Sequence, residues 1–291
     1  PPRATMQRAR DFANARPRTA GLYALFAAGC LVIYYTLKTK PTGQYDYVLT
    51  LAAGLQTTAF AVLVCDSSNQ VAEGLSEKTL WAFFIAHVAR LSTTIWGEGY
   101  IPEDNTGDVY LYQILELSGV LCLMCKLLNM TTVRTMHDVG QGLERWSTLG
   151  GMVGLAVALG WLTQSTGHED YFADWSWMFS VWLDSFALAP QVRLLCLNAS
   201  PHVDEGMLHF AGVTLAASLA FSTFWLRTAR DHYERWMADG YHYFAYGITG
   251  AGAIRVLLCS TYVYMFVRTT KGPKPAGKGS EYELCAQDDE L

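Results

Sequence analysis

Several charged and amide side chains of this chain lie inside stretches apolar enough to cross a bilayer, where each needs a partner or a purpose. Asp184 sits near the middle of residues 173–198, with Trp177 seven positions before it and Gln191 seven after. At 3.6 residues per turn these three share one helical stripe. A carboxylate in hydrocarbon costs at least ~2.5–3.5 kcal/mol, so it normally faces a cavity or a partner and marks a site. A second apolar stretch carries His87 and Arg90 three apart, with Thr94 one turn on; a third carries Gln113 and Glu116; a last one carries Arg255 and Tyr262. The chemistry these types support is anion recognition, because a guanidinium stays charged and its planar fork matches a carboxylate. Arg90 is therefore expected to stand without a permanent counter-ion and to accept an incoming carboxylate, with Asp184 tuning the pocket. The competing expectation is that Arg90 and Arg255 pair off with Asp184 and Glu116 and simply lock the bundle.

The elements that must position these residues are long apolar helices. The 291 residues are 51% hydrophobic and only 16% charged, well under the roughly 25% charged fraction of ordinary soluble domains. A spanning helix needs about 20 mostly apolar residues, and windows near 19–37, 47–65, 79–97, 109–128, 147–163, 175–197, 207–226 and 241–267 qualify. Strand alternation is missing from them, so the expected class is all-α, a polytopic membrane helix bundle. The window at 147–163 is short and glycine-rich, which suits close helix packing in lipid. Pro190 should loosen the sixth helix just before Gln191.

Arg3, Arg8, Arg10, Arg16 and Arg18 precede the first window, and Lys271, Lys274 and Lys278 follow the last. Basic residues concentrate on that side, which predicts that both termini are cytosolic. The opposite loops are acidic, with Glu98, Glu103, Asp104 and Asp108 in one and Glu169, Asp170 and Asp174 in another. The expected division is a basic N-terminus at 1–18, an added transmembrane helix and loop at 19–45, a membrane domain at 46–268 and a disordered cytosolic tail at 269–291. The chain opens without Met, so an upstream segment is expected. Its last four residues, Asp-Asp-Glu-Leu, approach an ER-retention signal, but a cytosolic tail would hide them from any lumenal reader.

Other chemistries find little support. Cys122 and Cys125 have metal-like spacing but no second pair, so core packing is the expected role and no metal or cofactor is predicted. His168-Glu169-Asp170 is a weak metal candidate. The sequons at Asn129 and Asn198 fall on expected cytosolic loops and should go unused. His209, beyond the acidic Val203-Asp204-Glu205, is a candidate proton sensor alongside His87. The chain shows no nucleophile elbow, phosphate loop or basic nucleic-acid face, so neither an enzyme nor a nucleic-acid binder is expected.

The stretch Trp177-Met-Phe-Ser-Val-Trp-Leu-Asp184-Ser-Phe-Ala-Leu-Ala-Pro190-Gln191 resembles the Trp-Thr-Phe-Ser-Ile-Tyr-Leu-Glu-Ser-Val-Ala-Ile-Leu-Pro-Gln helix of the ER lumen protein-retaining (KDEL) receptors. Gly74-Leu-Ser-Glu-Lys-Thr79 with Ala89-Arg90-Leu91, and Lys271-Gly-Pro-Lys274 after Cys259, are similar to further motifs of that family. The resemblance runs from about 46 to 275. It implies a seven-helix core related to the PQ-loop and SWEET-like transporters, with the helix at 19–37 as an addition. It also implies a site in which three arginines grip a C-terminal retrieval tetrapeptide. Arg90 matches the arginine that holds the terminal carboxylate, Trp177 the pocket tryptophan, and Asp174 and Asp184 the two acids. The other two arginines fall on Val48 and Ala217, with Arg255 one helix away as a substitute. Each charge-assisted bond lost is worth roughly 1.5–3 kcal/mol, so losing two weakens an acidic tetrapeptide about 100-fold or more.

The expected function is thus a divergent retention-receptor-like protein of ER or Golgi membranes. Its lumen-facing pocket would bind a peptide C-terminus or small carboxylate through Arg90, Asp184, Trp177, Asp174, Gln191, Arg255, His87, Glu116 and His209. Expected partners are that ligand, the lipid bilayer, and coat or complex proteins met through the C-terminal tail. Two alternatives stand beside it: an accessory structural subunit of a larger, possibly organellar, membrane complex, and a PQ-loop transporter of small solutes.

Overall fold

A computed structural model of the chain describes residues 17–37, 46–65, 75–96, 108–134, 142–164, 171–197, 205–231 and 242–271. Residues 1–16, Glu98, Glu103, Asp104, His168-Glu169-Asp170, the Asn198 sequon and the tail beyond residue 271 lie outside them, whereas Asp108, Asp174 and the Asn129 sequon, expected on loops, and residues 269–271, expected in the tail, lie in helices. Among the described residues the chain forms α1 (Pro17–Leu37), α2 (Asp46–Cys65), α3 (Glu77–Trp96), α4 (Asp108–Arg134), α5 (Gly142–Thr163), α6 (Tyr171–Phe186), α7 (Ala189–Leu197), α8 (Glu205–Asp231) and α9 (His242–Lys271), and no strand. Each of the eight apolar windows becomes helix, as their length and composition require.

The sixth window is divided. Pro190 has no N–H to donate to the carbonyl of Phe186, and its ring crowds that oxygen. Accordingly α6 ends at Phe186, a turn follows with the Ala187 N–H donating to the Asp184 carbonyl at 3.3 Å, and α7 resumes at Ala189. Pro190 then occupies the first turn of α7, where a missing donor does no harm.

Packing pairs define a closed ring of six helical segments. α2 packs on α4, α4 on α3, α3 on α6, α6 on α9, α9 on α8, and α8 back on α2. α5 lies outside, mainly against α6, and α1 lies outside against α2, with the Phe26 ring against Gly54. On α4 the outer residues Ile114, Leu117, Leu121, Met124 and Leu128 are all exposed. They recur at helical spacing and form a continuous apolar stripe, which only a lipid or protein surround makes tolerable. α2, α4, α8 and α9 contain stretches long and apolar enough to cross a membrane, and α5 a shorter apolar one. α3 does not, because it carries polar residues that face the middle of the ring, and α6 does not, because the break at Phe186 leaves it 16 residues long. The chain is an all-α, multi-pass membrane bundle with a set of buried charges in its interior.

The glycine-rich stretch of α5 is used more narrowly than expected. Gly160 lies against the backbone of Phe179, but Gly150, Gly151 and Gly154 have no neighbour within reach of a Cβ. Cys122 is half-buried and Cys125 exposed, so core packing does not account for Cys125. Among the described residues no His, Cys, Asp and Glu cluster has metal-site geometry.

Candidate functional site

Every segment of the six-helix ring contributes a polar side chain to its interior. α3 supplies His87 and Arg90 from one face, three residues apart. α4 supplies Glu116, α6 Asp184 and Ser180, α9 Arg255, α2 Gln56 and α8 Ser218; all are buried, with exposures of 4% or less. The Nη2 of Arg90 donates to Asp184 Oδ2 at 2.8 Å, and the Nη1 of Arg255 reaches the same oxygen at 2.8 Å. Arg90 Nη1 lies 3.4 Å from Glu116 Oε1, whose other oxygen is 2.6 Å from His87 Nδ1. Arg255 further donates from Nη2 to Gln56 Oε1 at 2.8 Å and from Nε to Ser218 Oγ at 3.1 Å.

Aromatic rings close the network from the sides. The Arg90 guanidinium lies 5.8 Å from the Trp177 ring and 5.5 Å from Phe221, and that of Arg255 lies 5.2 Å from Phe221. Ring faces attract cations, and more so away from water. Phe60 and Phe83 flank His87. In so apolar an enclosure each charge needs its partner, and removing one member strands the others.

The expectation that Arg90 stands open is overturned. It is held by Asp184 and Glu116 together, because three cationic or ionisable residues and two acids converge within a few ångströms. A cleft nevertheless adjoins the network, lined by Leu49, Ala52, Ala53, Gln56, Arg90, Tyr112, Glu116, Ala217, Phe221 and Arg255. Its free volume is about 230 Å³ with the mouth included, narrowing to room for about one water. Ala217, where the family resemblance placed a missing arginine, lines this cleft, and Arg255 reaches it from the neighbouring helix.

Of the remaining candidates, Gln191 is turned away. Its Oε1 accepts the Ser76 N–H at 2.6 Å, joining α7 to the start of α3, so the helix break removes it from the stripe of Asp184. His209 is also elsewhere: its Nδ1 lies 3.0 Å from the Tyr23 hydroxyl, at the seam between α8 and α1. Asp174 is buried in the first turn of α6, one turn before Trp177. Gln113 donates to the Thr94 carbonyl at 2.5 Å rather than joining the network. Gln56, Ser218 and Ser180 were missed from the sequence. Gln56 had a signal, as the lone amide within the apolar run of α2; serines on such helices usually bond their own backbone, as both do here.

The family model described as ER lumen protein retaining receptor matches residues 71–227, just over half of the chain. It takes in α3 to α8, with Arg90, Glu116 and Asp184, while α1, α2 and α9, with Gln56 and Arg255, lie outside it. No curated protein and no solved structure matches the chain.

Proposed function

Because the chain belongs to the ER lumen protein retaining receptor family, we propose that it is a retention-receptor-like protein of ER or Golgi membranes. It takes a carboxylate, the C-terminus of a lumenal peptide or a small carboxylic acid, between Arg90 and Arg255. The observation that carries this reading is the meeting of two guanidinium groups from α3 and α9 on a single carboxylate oxygen beside a cleft. Asp184 Oδ2 makes the two charge-assisted bonds that an arriving carboxylate would make. A ligand that displaces it leaves both guanidinium groups satisfied. Trp177 and Phe221 keep water from competing.

The four buried charges of Arg90, Arg255, Asp184 and Glu116 already balance, so an added anion calls for an added proton. Binding that carries a proton in with the anion tightens as pH falls. The test is a titration of purified protein with free-acid and amidated C-terminal peptides at pH 5.5 and 7.5. Saturable binding of the free acid alone, tighter at the lower pH, is expected.

The closure of the ionic network, around a cleft with room for about one water, supports a second reading. In it the family fold persists as an accessory structural subunit and the ion pairs merely fix helix positions. Absence of peptide binding together with copurification in a stable larger assembly would favour that reading.

A further inference from the structure

Gln56 occupies an unusual position at the centre of the ring. Its Oε1 accepts from Arg255 Nη2 at 2.8 Å. A guanidinium can only donate, so this bond fixes which end of the amide faces Arg255. The Nε2 end is thereby directed away from it. Gln56 is 3% exposed, it lines the cleft, and its Nε2 has no hydrogen-bond acceptor among the described residues. A buried amide donor left without an acceptor is destabilising, and its neighbours along the cleft on α2, Leu49, Ala52 and Ala53, offer it no side-chain acceptor.

We propose that Gln56 is the specificity-determining residue of this cleft, its Nε2 donating to a neutral carbonyl oxygen of the ligand while Arg90 and Arg255 hold the ligand's carboxylate. This rests on the receptor reading above and adds to it a donor that reads an uncharged acceptor beside the carboxylate. The charges of the network are already balanced, so an uncharged acceptor satisfies Nε2 without stranding a further anion. Gln56 is bonded to the same guanidinium that holds the carboxylate site, so the acceptor lies close to that carboxylate. Consecutive backbone units are about 3.8 Å apart, which places the last peptide carbonyl of a bound C-terminus within this reach. A simple fatty or aromatic acid has no such group.

The test uses the full chain in detergent, titrated with acetyl-Lys-Asp-Glu-Leu as free acid and with an analogue whose last amide is replaced by a trans-alkene. The natural protein should bind the analogue about tenfold more weakly, the effect of one hydrogen bond. In Gln56→Leu the peptide should weaken to the level of the analogue, and the two should bind alike. Gln56→Met keeps the side chain's length without the donor; it too should lose the discrimination, whereas a role confined to supporting Arg255 would weaken peptide and analogue together and leave the discrimination intact. Equal binding of both ligands by the natural protein would overturn the proposal, as would undiminished discrimination in either folded variant. If the natural protein binds neither ligand at any pH, the receptor reading itself fails, and this inference falls with it.

Discussion

Both arginines of the ring interior end on the same oxygen of Asp184, which makes that carboxylate the keystone of the charge arrangement. Asp184→Asn keeps the shape but removes the charge, leaving two guanidinium groups with Glu116 alone. Breaking a buried pair from one side costs about 3–5 kcal/mol, so the thermal midpoint of the detergent-solubilised variant should fall sharply. A midpoint like that of the natural protein would show that the interior is wetter and the pairing weaker than described. At this scale much was readable beforehand: Arg90, Glu116, His87, Asp184, Trp177 and Arg255 do converge. Their pairing was one of two expectations, and spacing alone did not choose between them, because it places side chains on a helix face and leaves open which face meets which. Gln191 illustrates the limit, since seven residues keep a stripe only while the helix is continuous.

Pro190 breaks α6 from α7 one turn beyond Asp184, and the freed geometry lets Gln191 tie α7 to the Ser76 amide. The break was legible from the proline; its consequence for Gln191 needed the angle between the two segments. Helix contacts outside the ring rest on small residues at a few points only. A Cβ on Gly247 would stand 2.5 Å from Thr163 Cβ, and one on Gly160 2.8 Å from the Phe179 amide nitrogen. Overpacking of this kind costs about 1–3 kcal/mol. Gly247→Ala and Gly160→Ala should each lower the thermal midpoint, while Gly154→Ala, with open space around it, should leave it unchanged or raise it slightly. Equal effects at all three positions would contradict the packing of α5 against α6 and α9.

A ring of six helical segments with polar residues inside and an apolar stripe outside is the inverse of a soluble domain, and the low charged fraction already implied it. The fold class and the eight helical windows followed from composition and length. Closure of the ring did not, because the order in which helices pack is not written in their hydropathy. α1 stands apart from the ring, docked through Phe26 on Gly54 and Tyr23 on His209. If each of the eight apolar stretches crosses the bilayer once, residues before α1 and after α9 lie on one side, and the basic flanks argue for the cytosol. Tags at both termini should therefore be digested together by protease added to sealed microsomes; protection of one alone would exclude this orientation. The central claim, that Arg90 and Arg255 exchange Asp184 for a ligand carboxylate, is tested most directly by calorimetric titration of acetyl-Lys-Asp-Glu-Leu, free acid against amide, into the natural protein and Arg90→Ala. The account predicts saturable binding of the free acid alone, tighter at pH 5.5 than at 7.5 as uptake of a proton with the anion requires, abolished by Arg90→Ala and unchanged by Val48→Ala. Binding of the amide as tightly as the acid, or binding that survives Arg90→Ala, would contradict it.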